Sequence, residues 1–226
     1  MALRSPDLPA PAAADEISRL RERMQRMHGG VPRLPLPTHP SLAGIVQLHA
    51  GASYQVDGAT LAMALMAGPS QAGSWCAVVG VDDFGAEAAT ELGIELSRTA
   101  LVPDPGDQWL EVTAAMLDVA SLVVVRPPTK VAASVAEKLA ARARKRSAAL
   151  VAWGPWPRAE LRLSVRDPRW AGVGRGHGHL RSRRLVIETQ RGSAPPRRAE
   201  LWFPTADGSY RREAAPVAAA EVRSAS

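Results

Sequence analysis

Residues 122–125 read Leu-Val-Val-Val and residues 149–153 read Ala-Leu-Val-Ala-Trp, with no polar residue to mark a solvent face. A strand written this way must be covered on both sides, which points to the interior of a parallel sheet. Cys76–Val81 has the same character, and Ile45–His49 and Leu101–Val102 are further strand candidates. Between them lie four stretches read as helices: Thr60–Ala72, Gly85–Leu92, Asp107–Leu117 and Val131–Arg146. This alternation predicts an α/β fold, a mostly parallel sheet with helices on both faces. After Pro157 the apolar period changes to two, in Leu161, Leu163 and Val165, in Leu185 and Ile187, and in Leu201 and Phe203. These predict antiparallel strands added at one edge, joined by the turn-rich segments WAGVGRGHGH and RGSAPPRR.

The 226 residues suit one ample domain. No apolar run approaches the roughly 20 residues of a membrane helix, and the N-terminus lacks the basic-then-apolar layout of a secretory signal. One cysteine, Cys76, excludes an internal disulfide framework. A cytoplasmic protein with no membrane partner is expected. Three regions are assigned: 1–40, a tail, an amphipathic helix and a Pro-rich tether; 41–205, the α/β domain; 206–226, a tail without fixed structure. The helix begins near Asp15 and stops at Gly29-Gly30. Its apolar residues Ile17, Leu20, Met24 and Met27 recur at spacings of 3, 4 and 3, opposite a charged face. The next stretch, VPRLPLPTHP, cannot be helical. A tethered stripe of this kind is a candidate partner-binding element, for the domain's own surface, for another protein or for self-association.

Charge is unevenly placed. Residues 1–139 hold 10 basic and 15 acidic groups, whereas residues 140–226 hold 18 and 7. A half this basic is a candidate for a polyanion, nucleic acid first among them, with uneven surface charge lacking any ligand as the alternative. Arg181, Arg183 and Arg184, then Arg191, Arg197 and Arg198, fall on adjacent strands and their turn and are expected to share one face. Trp170 and Trp202 are the nearest aromatics.

The glycine-flanked stretch from Gly51 to Thr60 lies between a strand and a helix, where an NTPase carries its phosphate loop. That loop needs a lysine on the β/γ-phosphates and a hydroxyl on Mg²⁺. The first lysine in the chain is Lys130, and Gly51, Asp57, Gly58, Ala59 and Thr60 keep the place without the charge. The run Leu122–Val125 ends on Arg126, where a metal-holding Asp is normally found. Asp82 and Asp83 follow the second strand; they could activate water, but N-capping of the next helix is the simpler role. His177 and His179 sit in a glycine-rich turn without a nearby Cys or carboxylate, so no metal site is expected. Cys76 reads as a core residue, and no G-x-S-x-G elbow supports a serine hydrolase.

These strings, in this order, also resemble the ATPase core of the RecA recombinase family. The resemblance rests on AGASYQVDGATLAMALM, on SWCAVVGVDDFGAEAATELGIELSRTALVPDPGDQWLEV, on SLVVVRP, on SVAEKLAARARKRSAALVAWG and on RLVIETQRGSAPPRRAELWF. It implies a RecA-like three-layer core over about residues 40–205. Carried over, the phosphate-loop lysine falls on Gly58, its neighbouring hydroxyl on Ala59, the metal Asp on Arg126 and the water-activating Glu on Asp82. The two lysines that reach a neighbour's nucleotide fall on Thr189 and Arg191. The segments matching the recombinase's DNA-binding loops are far shorter here. A short, lysine-less chain of this kind resembles the ImuA and ImuA-prime accessory proteins, with SulA-like division inhibitors as near relatives. That resemblance implies an actinobacterial source, expression in the SOS response to DNA damage and location at the nucleoid on damage. It also implies partnership with a Y-family polymerase-like protein and an error-prone replicative polymerase in translesion synthesis. Under it the protein is no enzyme and needs no cofactor. A DNA-binding module built on the arginines, and a SulA-like division inhibitor, are the alternatives.

Overall fold

The computed structural model describes residues 33–174, 177–205 and 208–212; Ile17, Leu20, Met24, Met27 and their expected helix lie outside them. The chain divides into two compact units, Met1–Leu34 and Pro35–Ser226. The strands of the second unit are β1 (Pro35–Leu36), β2 (Leu48–His49), β3 (Ser53–Val56), β4 (Cys76–Val79), β5 (Thr99–Val102), β6 (Leu122–Val125), β7 (Ala149–Trp153), β8 (Leu161–Gly174), β9 (His177–Gln190), β10 (Arg197–Trp202) and β11 (Arg211–Arg212). Its helices are α1 (Ala59–Gln71), α2 (Ala86–Glu91), α3 (Trp109–Val119) and α4 (Ala133–Arg146).

Nine strands form one sheet in the order β11-β10-β9-β8-β3-β7-β6-β4-β5. The five pairings from β8 to β5 are parallel and the three from β11 to β8 antiparallel. Every residue of β4 and β6 is buried, as their unbroken apolar runs require. Cys76, Val78, Leu122, Val124 and Val151 face a core that includes α1 and Ala89 of α2. Their neighbours Ala77, Val79, Val123, Val125 and Leu150 face Leu117 of α3 and Leu139 of α4. Helices therefore cover both faces of the parallel half. The outer pair α3 and α4 is held by Asp118, which accepts hydrogen bonds from Arg142 Nε at 2.8 Å and Arg146 Nε at 3.0 Å. No helix among the described residues is long and apolar enough to cross a membrane.

Three expectations are corrected. The strand that leads into α1 is not Ile45–His49 but β3, inside the stretch read as a loop. Gly51, at φ +74°, turns the chain and donates its N–H to the Ala148 carbonyl. Beyond that turn Ala52, Tyr54 and Val56 enter the core on one face, while the polar Ser53 and Gln55 lie on the other. Second, β8 is not antiparallel to the body: it pairs parallel with β3 and antiparallel only with β9. Third, WAGVGRGHGH is largely strand, the outer part of a hairpin whose arms are 14 residues each.

The segment assigned to the tether also joins the body. β1 pairs with β2, and the chain from Pro37 to His39 crosses α1 at Gly68, where a Cβ would lie 2.6 Å from the Pro37 carbonyl oxygen. This crossing explains why α1 is buried at every position from Leu61 to Ser70 rather than along one stripe.

Candidate functional site

In an open α/β sheet, ligands are taken at the carboxyl ends of the parallel strands. Here β3 ends at Val56 and α1 begins at Ala59, so Asp57 and Gly58 alone make the connection. A two-residue turn has too few N–H groups to cradle a phosphate. Asp57 turns away from α1 and accepts a hydrogen bond from the Val165 N–H at 2.9 Å, tying the turn to β8. Gly58 caps α1 without a side chain, and a Cβ there would meet nothing within 4 Å. Space for a lysine exists; the loop that would aim it does not. The Thr60 hydroxyl accepts a hydrogen bond from Arg183 Nη2 at 2.9 Å. Arg183 also donates through Nε to the Phe203 carbonyl at 3.0 Å and lies 5.2 Å from the Trp170 ring centroid. Its partial burial draws the guanidinium pKa downward.

The next crevice holds about 710 Å³ beyond the ends of β4, β5 and β6, with Asp82, Asp104 and Arg126 on its wall. Gly80 makes it possible: its φ is +77°, its N–H bonds the Val102 carbonyl, and a Cβ would collide with the Arg126 carbonyl oxygen. The Arg126 guanidinium stands 4.9 Å from the Trp153 ring centroid and 3.4 Å from Asp83 Oδ1. Both partners of that ion pair are exposed, so it contributes about 0–1 kcal/mol. The capping role expected for Asp82 and Asp83 is not seen. Gly85 is the N-cap of α2, without a side-chain hydrogen bond. Between α1 and the sheet, Met63, Phe84 and Trp153 close the remaining space to about 10 Å³, room for about one water.

The six arginines do not share a face. Alternation along β9 puts Arg181 and Arg183 on the side of α1, together with Arg197, whose register partner is the buried Thr189. Arg184 and Arg198 point to the opposite side, where they pair with Glu200 and Glu188. Arg191 bonds Glu160 at 2.9 Å, and Thr189 is buried in β9 opposite Leu163, which pairs in turn with Val56 at the carboxyl end of β3. What the sequence missed is a set on β8, Arg162, Arg166 and Arg169, because only the strand register brings them beside β9.

No group of three or more His, Cys, Asp or Glu among the described residues could hold a metal, and the side chains of His177 and His179 are not among those described. Cys76 is fully buried in β4, and burial pushes its thiol pKa up to about 12. The thiolate needed for nucleophilic chemistry is thereby suppressed.

Comparison with known proteins gives three findings. The family model of the MT3502 N-terminal domain matches residues 41–158. The uncharacterized protein Rv3395c of Mycobacterium tuberculosis (strain ATCC 25618 / H37Rv) is 34% identical over 166 residues, covering 68% of this chain and 77% of that protein. The crystal structure of SulA from Pseudomonas aeruginosa aligns at a TM-score of 0.38 and 15% identity, over 45% of this chain and 95% of that one.

Proposed function

The chain belongs to the family of the MT3502 N-terminal domain, and we propose that it is a non-catalytic, RecA-like accessory protein of DNA-damage tolerance that docks on an error-prone polymerase assembly. One observation carries the reading. At the places where a RecA-like core holds its nucleotide, the Asp57–Gly58 turn is bonded to β8 and Arg126 lies on Trp153, so neither offers a phosphate loop or a metal ligand. A fold kept without that chemistry serves as a scaffold. The resemblance of this short, lysine-less chain to ImuA-type accessory proteins supplies the partners, a Y-family polymerase-like protein and an error-prone replicative polymerase. Ile17, Leu20, Met24 and Met27 supply the contact, as amphipathic helices do when laid in an apolar groove.

Affinity capture from DNA-damaged cells, comparing wild type with Leu20→Glu/Met24→Glu, tests it. A polymerase recovered by wild type and lost in the variant is the expected result. Recovery by both moves the contact onto the α/β body; recovery by neither ends the docking reading. Calorimetric titration with ATP should give no saturable heat, and saturable binding lost in Thr60→Ala would restore an enzyme. Filamentation on overproduction, without polymerase recovery, would favour a SulA-like inhibitor of division instead.

A further inference from the structure

The β8–β9 hairpin runs beyond the sheet that carries it. β3 pairs with β8 only as far as Leu163, and β10 pairs with β9 only from Thr189 to Arg184. The chain after β10 follows β9 one step further: the Phe203 N–H bonds the Arg183 carbonyl and the Arg183 N–H bonds the Pro204 carbonyl. Past that point, among the described residues, the two arms pair only with each other, Ala171 with Ser182, Val173 with Gly178 and Gly174 with His177. At about 3.3 Å per residue, residues 171–174 carry this two-stranded ribbon about 13 Å past the last flanking chain.

The ribbon is basic and thin. Residues 169–184 include five arginines and two histidines but no Asp or Glu, and positions 172, 174, 176 and 178 are all glycine. Arg169 and Arg181 are exposed, and among the described residues no ion pair or side-chain hydrogen bond engages either. They lie on opposite faces. Arg183 reaches Thr60 at the start of α1, so Arg181, two positions before it on β9, is on that side. Arg169 is the register partner of Arg184, whose side chain is on the other.

Cations on both faces suit a groove, because phosphates line both of its walls; a single strand laid on one face would leave the other arginine unused. Dimensions decide which groove. The major groove of B-DNA, about 12 Å wide and about 8.5 Å deep, admits a two-stranded ribbon, whereas the minor groove is only about 6 Å wide. The major groove of an RNA duplex is too deep and narrow to enter. A ribbon about 13 Å long reaches the floor of the B-DNA groove, and its alternate glycines let the backbone come close to the bases. We propose that the end of the β8–β9 hairpin inserts into the major groove of double-stranded DNA, with Arg169 and Arg181 on the phosphates of its two walls. This surface is independent of the polymerase contact proposed above.

Fluorescence anisotropy of the full chain with a labelled DNA duplex tests it, and affinity should fall steeply with salt. Arg169→Ala/Arg181→Ala should lower the log–log salt slope by about 1.8, two phosphates at roughly 0.9 each, and weaken binding about tenfold or more. Joining the register partners Ala171 and Ser182 through Asn-Gly, in place of residues 172–181, removes the ribbon end and should abolish binding. Arg158→Ala, which removes an exposed arginine paired with Glu137, should change nothing. In the complex, guanine N7, which faces the major groove, should be protected from methylation. Thermal melts establish that each variant is folded. Unchanged affinity in folded Arg169→Ala/Arg181→Ala, or in the folded short hairpin, overturns the proposal. Single-stranded DNA or duplex RNA bound as tightly as the DNA duplex overturns it too, as does an unprotected N7. Polymerase capture is read separately and bears only on the docking proposal.

Discussion

Gly80 and Asp118 are two residues whose chemistry gives direct tests. Gly80 sits in the left-handed region against the Arg126 carbonyl, so Gly80→Ala must strain the backbone and part β4 from the chain after β6. A loss of about 2 kcal/mol or more is expected in urea unfolding. The Asp118 carboxyl is held down to about 2, first by its hydrogen bond from Arg142 and then by Arg146. A carboxylate with a depressed pKa stabilises the fold above its unfolded value near 4, and that contribution disappears as pH falls toward 2. Asp118→Asn should therefore melt lower than wild type at pH 7, with the two melting curves converging near pH 2. Arg183 shows how far a residue can depart from its sequence reading. Six arginines close together in sequence suggested one basic face, yet alternation sends this one inward, onto Thr60 and Trp170.

At the scale of elements, legibility followed the number of covered faces. β6 and β7 lie where their apolar runs put them, because burial on both sides writes the same residue type at every position. β3 was hidden because Ser53 and Gln55 alternate with its core residues and glycines flank it. Its polar face is used: Gln55 Oε1 accepts the Trp156 N–H at 3.0 Å. Tyr54 then anchors the turn before it, its hydroxyl accepting the His49 N–H at 2.8 Å. Tyr54→Phe leaves that donor without its partner and should cost about 1–2 kcal/mol, measured by denaturant titration. The placement of Arg166 and Arg169 beside β9 was beyond sequence reasoning for a different cause. Periodicity assigns faces only while the count is kept, and a one-residue bulge resets it. Arg166 and Arg169 are three residues apart yet share one side of the sheet, because the extra residue of the bulge lies between them.

For the molecule as a whole, Cys76 reports global opening. It lies at the start of a strand with neighbours on both sides and helices above and below. Alkylation at pH 8 should proceed only through unfolding and accelerate in Gly80→Ala in proportion to the stability lost. The strand order has a consequence for how such a chain is made. β3, early in the chain, occupies the middle of the sheet between β7 and β8, and Tyr54 meets its first register partner at Val151 and its second only at Leu161. During synthesis at about 5–20 residues per second, that central strand waits several seconds with an open edge. The family match ends at residue 158, just short of the strand that closes it. A ribosome-bound chain stopped there should still recruit chaperones, and one extended past β8 should release them.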